Sequence, residues 1–257
     1  MATPAPQSGA CPRCGGSGFV ITDSEGIKSA ELCSCRSAEI ARDSYDRAGI
    51  PPLYQSASCD NFVLPADNPI ARRDLATALI AVRAYIREFP SGGKPGLLLV
   101  GETGTGKTHL AVAALRAVMM RGFRGSFHDY QTLLERLRPG PDRGETVDKS
   151  IFQNALETDV LLIDDLGAHR STDWVEDTIT SIVTHRCNHR RALIATTNLP
   201  DPDAGGATLE KSNLPGGYSS RITLAERIGM RARSRLFEMC RVIRMPAVED
   251  YRLRKNR

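Results

Sequence analysis

The chain has 257 residues, a formal net charge of +4, 25% charged residues and seven cysteines. That length can bury a substantial core and favours one full domain with a small appendage. No apolar run approaches the roughly 18 residues that cross a bilayer, and MATPAPQSGACPRC lacks the charged-then-apolar order of an export signal. Membrane-spanning and secreted classes are therefore set aside, and a cytoplasmic protein is expected.

Residues 1–36 are read as a disordered leader followed by a cysteine unit, in which Cys11, Cys14, Cys33 and Cys35 form C-x2-C-x18-C-x-C. Two close pairs can supply four thiolates to a tetrahedral Zn²⁺, and Gly15 and Gly16 allow the tight turn after the first pair. So short a unit lacks a sufficient core without such a staple. Reduced structural cysteines or a redox pair are the alternatives. Cys59, Cys187 and Cys240 read as packing, and His185 and His189, with no third ligand nearby, as surface residues.

Residues 37–66 predict a short helix and an extended connector, AGIPPLYQSASCDNFVLP. Asp67 or Asn68 then caps a helix to about residue 88 whose apolar face is Ile70, Leu75, Leu79, Val82 and Ile86. The run 97–100 reads as a buried strand. It leads into Gly101-Glu102-Thr103-Gly104-Thr105-Gly106-Lys107-Thr108, which fits the phosphate-loop pattern G-x-x-x-x-G-K-[ST]. Backbone N–H groups in such a loop wrap the β-phosphate at a helix N-terminus. Lys107 would reach the β- and γ-phosphates of ATP, and Thr108 would ligate Mg²⁺.

Beyond the loop the pattern predicts a helix over 109–120, a strand over 125–129, helices over 130–138 and about 147–156, and a strand over 160–163. A helix over 173–188, a strand over 192–196, a long loop over 200–221, a basic helix over 224–239 and a strand over 241–245 complete the chain. Strands alternating with helices give an α/β fold with a parallel sheet flanked by helices, assigned to residues 67–257. In DVLLIDDLG, Asp164 is placed to hold Mg²⁺ through water and Asp165 to orient and deprotonate the attacking water. Asn198 either reads the γ-phosphate or is a plain strand-end residue. The arginines at 227, 231 and 235 fall along one face of the expected basic helix. They are a solvated face, a nucleic-acid surface, or arginines given to a neighbouring subunit's γ-phosphate. Residues 221–257 hold eleven Lys and Arg against four Asp and Glu, so the basic excess is concentrated there.

From about residue 11 to 252 these features resemble the AAA+ P-loop ATPases of the initiator clade, more narrowly the DnaC/DnaI-type helicase loaders and the related IstB transposition ATPases. GETGTGKTHLA looks like the Walker A motif, with His109 after it among the nucleotide-binding residues. LLIDDLG looks like Walker B and ATTNL like sensor 1. RARSRL is similar to the R-x-x-x-R-L box, which makes Arg235 the arginine finger and Arg231 its companion. EDYR resembles the closing motif, with Arg252 in a sensor-2-like position. The resemblance implies ATP, Mg²⁺ and Zn²⁺ as cofactors, and a zinc module gripping a DnaB-type replicative helicase. It also implies single-stranded DNA bound through residues 129–157, and a homo-oligomer on ATP and DNA. The connector favours a loader. An IstB-like helper acting with a transposase and a zinc adaptor switched by nucleotide without turnover are the alternatives. The loop 200–221 is longer than the family leads one to expect, and the residues after the last strand are too few for a helical lid.

Overall fold

The continuous apolar runs at 97–100, 160–163 and 192–196 lack the polar alternation of a half-exposed strand, and each lies inside a sheet covered on both faces. The computed structural model describes residues 11–24, 27–33, 35, 47–138, 149–204, 209–211 and 218–251. Its main sheet has five parallel strands: β3 (Gly96–Val100), β4 (Gly125–Asp129), β5 (Val160–Asp164), β6 (Ala192–Thr197) and β9 (Cys240–Arg244). Their order is β4-β5-β6-β3-β9. Alternate residues of each run go to opposite faces: Leu97 and Leu99 join one core layer, Leu98 and Val100 the other.

Helices α1 (Pro69–Glu88) and α2 (Lys107–Met119) contribute to the first layer. The second takes side chains from α3 (Tyr130–Leu137), α4 (Lys149–Glu157), α5 (Asp173–Asn188), α6 (Leu224–Ile228) and α7 (Met230–Met239). Asn68 starts α1 by accepting the Ala71 N–H at 3.0 Å, with Pro69 in the first turn. The buried face of α1 is Leu75, Leu79 and Val82, joined by Ala71, Ala78 and Tyr85, while Ile86 is half-buried. Ile70, expected on that face, is 68% exposed, because five residues from Leu75 is roughly 140° around a helix.

Three further expectations are corrected. The basic helix is two helices, interrupted at Gly229 (φ 81°, ψ 150°), so Arg227 does not continue the line of Arg231 and Arg235. Any Cβ at Gly229 would sit 2.3 Å from the Glu176 carboxylate, so packing against α5 and backbone conformation both demand glycine there. The connector is not extended: it makes a 3-10 turn at Pro52–Tyr54, buries Ala48, Ile50 and Ala57, and lends the Ala48 carbonyl to the Phe127 N–H of edge strand β4 at 2.6 Å. The long loop holds two short antiparallel strands, β7 (Leu209–Lys211) and β8 (Tyr218–Ser220).

In the cysteine unit, β1 (Phe19–Ser24) and β2 (Ile27–Leu32) form an antiparallel hairpin. The expected leader, most of the short helix after the cysteines, the turn at 139–145, Arg252 and parts of the long loop lie outside the described residues.

Candidate nucleotide site and cysteine cluster

A parallel sheet collects the C-terminal ends of its strands on one edge, and β5, β6 and β3 are neighbours there. This brings the loop after β3 together with Asp164 and Asp165 at the end of β5 and Asn198 just past β6. Gly106 (φ 89°) closes the loop, and a Cβ on it would lie 2.6 Å from the Phe62 ring, so the connector packs directly on the phosphate loop. The Tyr251 N–H donates to the Gly104 carbonyl at 3.1 Å from the other side.

Lys107 is buried, and its Nζ donates to the Glu102 carbonyl at 2.8 Å, with Thr105 Oγ1 donating to the same oxygen at 2.9 Å. Thr108 Oγ1 donates to Asp164 Oδ1 at 3.0 Å. The same carboxylate oxygen accepts from Thr196 Oγ1 at 2.6 Å, and that hydroxyl accepts the Asp165 N–H at 2.9 Å. One hydroxyl on β6 thus holds the Asp164 carboxylate at the end of β5 and the backbone of Asp165 just after it. Burial pushes the Asp164 carboxyl above its usual range. The Thr196 and Thr108 bonds oppose this, and the charges of Asp165 and Asp129 add to it. Two oxygens side by side at the head of α2 suit a hard cation such as Mg²⁺. Asp165 has φ 53° and is exposed, as is Asn198.

His109 turns to the connector, with Nε2 3.0 Å from the Ser58 carbonyl and its ring 5.6 Å from that of Phe62. A cavity lined by Asn61, Phe62, Leu75, His109, Val248 and Tyr251 opens beside Gly104, Thr105 and Gly106. Its walls are mainly apolar.

The arginines of the basic segment divide by role. Arg233 donates to the fully buried Asp201 at 2.8 and 2.6 Å and lies 4.4 Å over the Phe237 ring, so it packs the fold. Arg227 is half-buried and donates to the His169 carbonyl at 3.3 Å. Arg231 and Arg235 are exposed on α7, and Arg235 bonds Glu238 of its own helix at 2.6 Å.

The Sγ atoms of Cys11, Cys14, Cys33 and Cys35 all lie within 4.8 Å of one another, with Cys11–Cys33 at 3.9 Å and Cys14–Cys35 at 3.4 Å. A tetrahedral site with Zn–S bonds of about 2.3 Å has sulfur–sulfur edges of about 3.8 Å, so the cluster fits Zn²⁺. The Gly18 N–H, 3.4 Å from Cys14 Sγ, brings that thiol down to about 6, and the N–H groups of Arg13 and Cys14 lower Cys11. Hydrogen bonding with Cys14 and Cys33 raises Cys35 to about 12. The remaining cysteines pack, with Cys240 fully buried. His185 and His189 stack at 4.1 Å and His185 bonds Glu157 at 3.1 Å; among the described residues only the four cysteines group as metal ligands.

Three residues absent from the sequence reading matter here: Thr196, Phe62 and Arg186. The last is fully buried and donates to the carbonyls of Ala155, Leu156, Thr158, Asp159 and Ala192, serving as a remote cap for α4. Thr196 and Phe62 lie beside recognisable motifs, yet their partners are distant in sequence.

Comparison with known proteins gives the same architecture. The family of IstB-like ATP binding proteins matches residues 84–211. The replicative helicase loader DnaC of Escherichia coli K12 is 26% identical over 172 residues, 67% of this chain and 67% of that protein. The XkdC protein of the Bacillus subtilis phage-like element PBSX is 24% identical over 203 residues, 72% of this chain and 70% of the relative. The crystal structure of the DnaC helicase loader superposes with a TM-score of 0.58 at 31% identity, covering 76% of this chain and all of that one. No described helix is long and apolar enough to cross a membrane.

Proposed function

Because the chain belongs to the DnaC family of helicase loaders, we propose that it hydrolyses ATP to place a replicative helicase on single-stranded DNA. The observation that carries this reading is the hydroxyl and carboxylate network joining Thr108 at the head of α2 to Asp164, Thr196 and Asp165 at the ends of the neighbouring strands β5 and β6. The network sets the Asp165 backbone, and beside the Mg²⁺ pair the exposed Asp165 and Asn198 are hydrolytic groups that a protein only binding nucleotide would not need. In this reading Lys107 leaves the Glu102 carbonyl for the β- and γ-phosphates, and Asp165 orients and deprotonates the attacking water with Asn198 beside it. Mg²⁺ would be held by Thr108 and Asp164 and would neutralise charge on the phosphates. The cavity against Phe62 takes the adenine.

Arg235 acts in trans: it exchanges Glu238 for the γ-phosphate of a neighbouring subunit, with Arg231 as companion, so catalysis needs an oligomer. The cysteine cluster binds zinc and shapes the unit that grips the helicase, while α3, α4 and the residues between them meet single-stranded DNA. A second reading, a transposition helper acting with a transposase, is supported by the IstB-like match over residues 84–211.

Lys107→Ala and Asp165→Ala should each abolish ATP hydrolysis. Mixing inactive Lys107→Ala with inactive Arg235→Ala should restore part of it; no restoration at any ratio refutes a finger in trans. Full-length protein should recover a DnaB-type helicase from lysate, and Cys11→Ser/Cys14→Ser should not. Recovery of a transposase instead decides for the second reading.

A further inference from the structure

At the tip of the phosphate loop a carboxylate sits where negative charge is to be received. Glu102 follows Gly101, and its carbonyl is the acceptor already shared by Lys107 and Thr105. Its carboxylate is gripped by both prongs of Arg221, Nη1–Oε1 at 2.8 Å and Nη2–Oε2 at 3.5 Å. Arg221 lies 119 residues downstream, directly after β8 and so at the end of the long segment whose role the sequence left open. Two residues later Thr223 begins α6 with a reciprocal capping box to Glu226, which fixes the backbone from which Arg221 reaches. The contact is largely sheltered on the arginine side, whose side chain is 22% exposed. The Arg221 bond is the main cause that holds the Glu102 carboxyl below the usual range, and the Lys107 charge adds to it.

ATP brings several negative charges to this loop, and an unpaired carboxylate there repels them at a range screening does not remove. A carboxylate forked to a guanidinium presents no net charge, and the fork fixes its orientation as a lysine would not. We propose that Arg221 is a positioning residue of the nucleotide site, acting in cis. It neutralises Glu102 and holds its carboxylate on the side of the β7–β8 segment, leaving the cradle of N–H groups and Lys107 for phosphate. The other end of that segment is also anchored by an arginine, through Asp201 and Arg233.

The proposal rests on the nucleotide-binding reading above. Its test is titration of the full-length chain with a fluorescent ATP analogue, for wild type, Arg221→Ala, Arg221→Lys, Glu102→Gln and the double variant Glu102→Gln/Arg221→Ala. Arg221→Ala should weaken binding about tenfold, and Arg221→Lys by no more than about threefold. Glu102→Gln should tighten binding a few-fold, and the double variant should return to within about threefold of wild type. The Arg221→Ala deficit should shrink as salt is raised. A double variant as weak as Arg221→Ala, or an Arg221→Ala that binds like wild type, overturns the proposal, with melting curves showing that each variant is folded. Failure of the wild-type chain to bind ATP overturns the nucleotide reading itself and is distinguished by that control.

Discussion

Thr196→Val keeps the shape of a buried side chain and deletes one hydroxyl, which makes it the sharpest probe of the site. That hydroxyl donates to Asp164 at 2.6 Å and accepts the Asp165 N–H at 2.9 Å. A hydrogen bond to a charged group contributes about 1.5–3 kcal/mol, and an N–H left without a partner costs about 1–3 kcal/mol where it is buried. Since the Asp165 N–H is only partly buried, a net loss of about 2–4 kcal/mol is expected. In a chain of this size that lowers the melting temperature by roughly 5–15 °C.

The catalytic consequence is separate. Burial already raises the Asp164 carboxyl, and Thr196 is the first of the bonds that oppose it, so its removal sends the carboxyl further up. If Asp164 holds Mg²⁺ as proposed, which needs its ionised form, the acid limb of the ATPase profile should move to higher pH. Phosphate release measured from about pH 5 to pH 9 tests this, with Thr196→Ser, which keeps the hydroxyl, as control. An unmoved acid limb together with a wild-type melting curve would refute the reasoning. The linkage has a definite sign. The folded pKa lies above the unfolded one, so the folded state binds more protons between them, and metal-free stability falls as pH rises through that window. Mg²⁺ offsets the penalty, so the gain in melting temperature from Mg²⁺ with ADP, over ADP alone, should grow with pH across the same window.

Arg186→Met should destabilise the chain by about 3–5 kcal/mol in urea unfolding, because five carbonyl groups lose their common donor; a midpoint like that of wild type would count against the capping role. Phe62→Ala should weaken ADP binding about five- to thirtyfold by removing one wall of the cavity, read by fluorescence titration, and unchanged affinity would place the adenine elsewhere. Cys11→Ser/Cys14→Ser should reduce bound zinc from about one equivalent per chain to none, measured by atomic emission; retained zinc would show that these thiols are not the ligands.

What the sequence makes legible is whatever depends on local order. The phosphate loop, the β5 carboxylates and the cysteine pairs are short patterns whose spacing follows from their chemistry, and the sheet's inner strands announce themselves as unbroken apolar runs. The misses need long-range contacts. Gly229 stands among good helix formers, and only the closeness of Glu176 shows why the helix breaks there. Ile70 is apolar like its neighbours and differs only in angle around α1. Arg233 and Arg235 are indistinguishable in RARSRL until buried Asp201 claims one and Glu238, on an exposed helix face, the other. Thr196 is one of two threonines in ATTNL, and its role is fixed by a strand thirty-odd residues away.

The sheet order also bears on how the protein is made. Strand β3 lies between β6 and β9, with Gly96 opposite Cys240. On the ribosome the phosphate loop therefore emerges long before the strand that completes its sheet, and until then Leu97–Leu99, apolar toward both faces, has an open edge. Such a segment invites chaperone capture in the nascent chain. Pairing with β9 covers that edge, so a chain broken off before that strand keeps β3 exposed beside its phosphate loop.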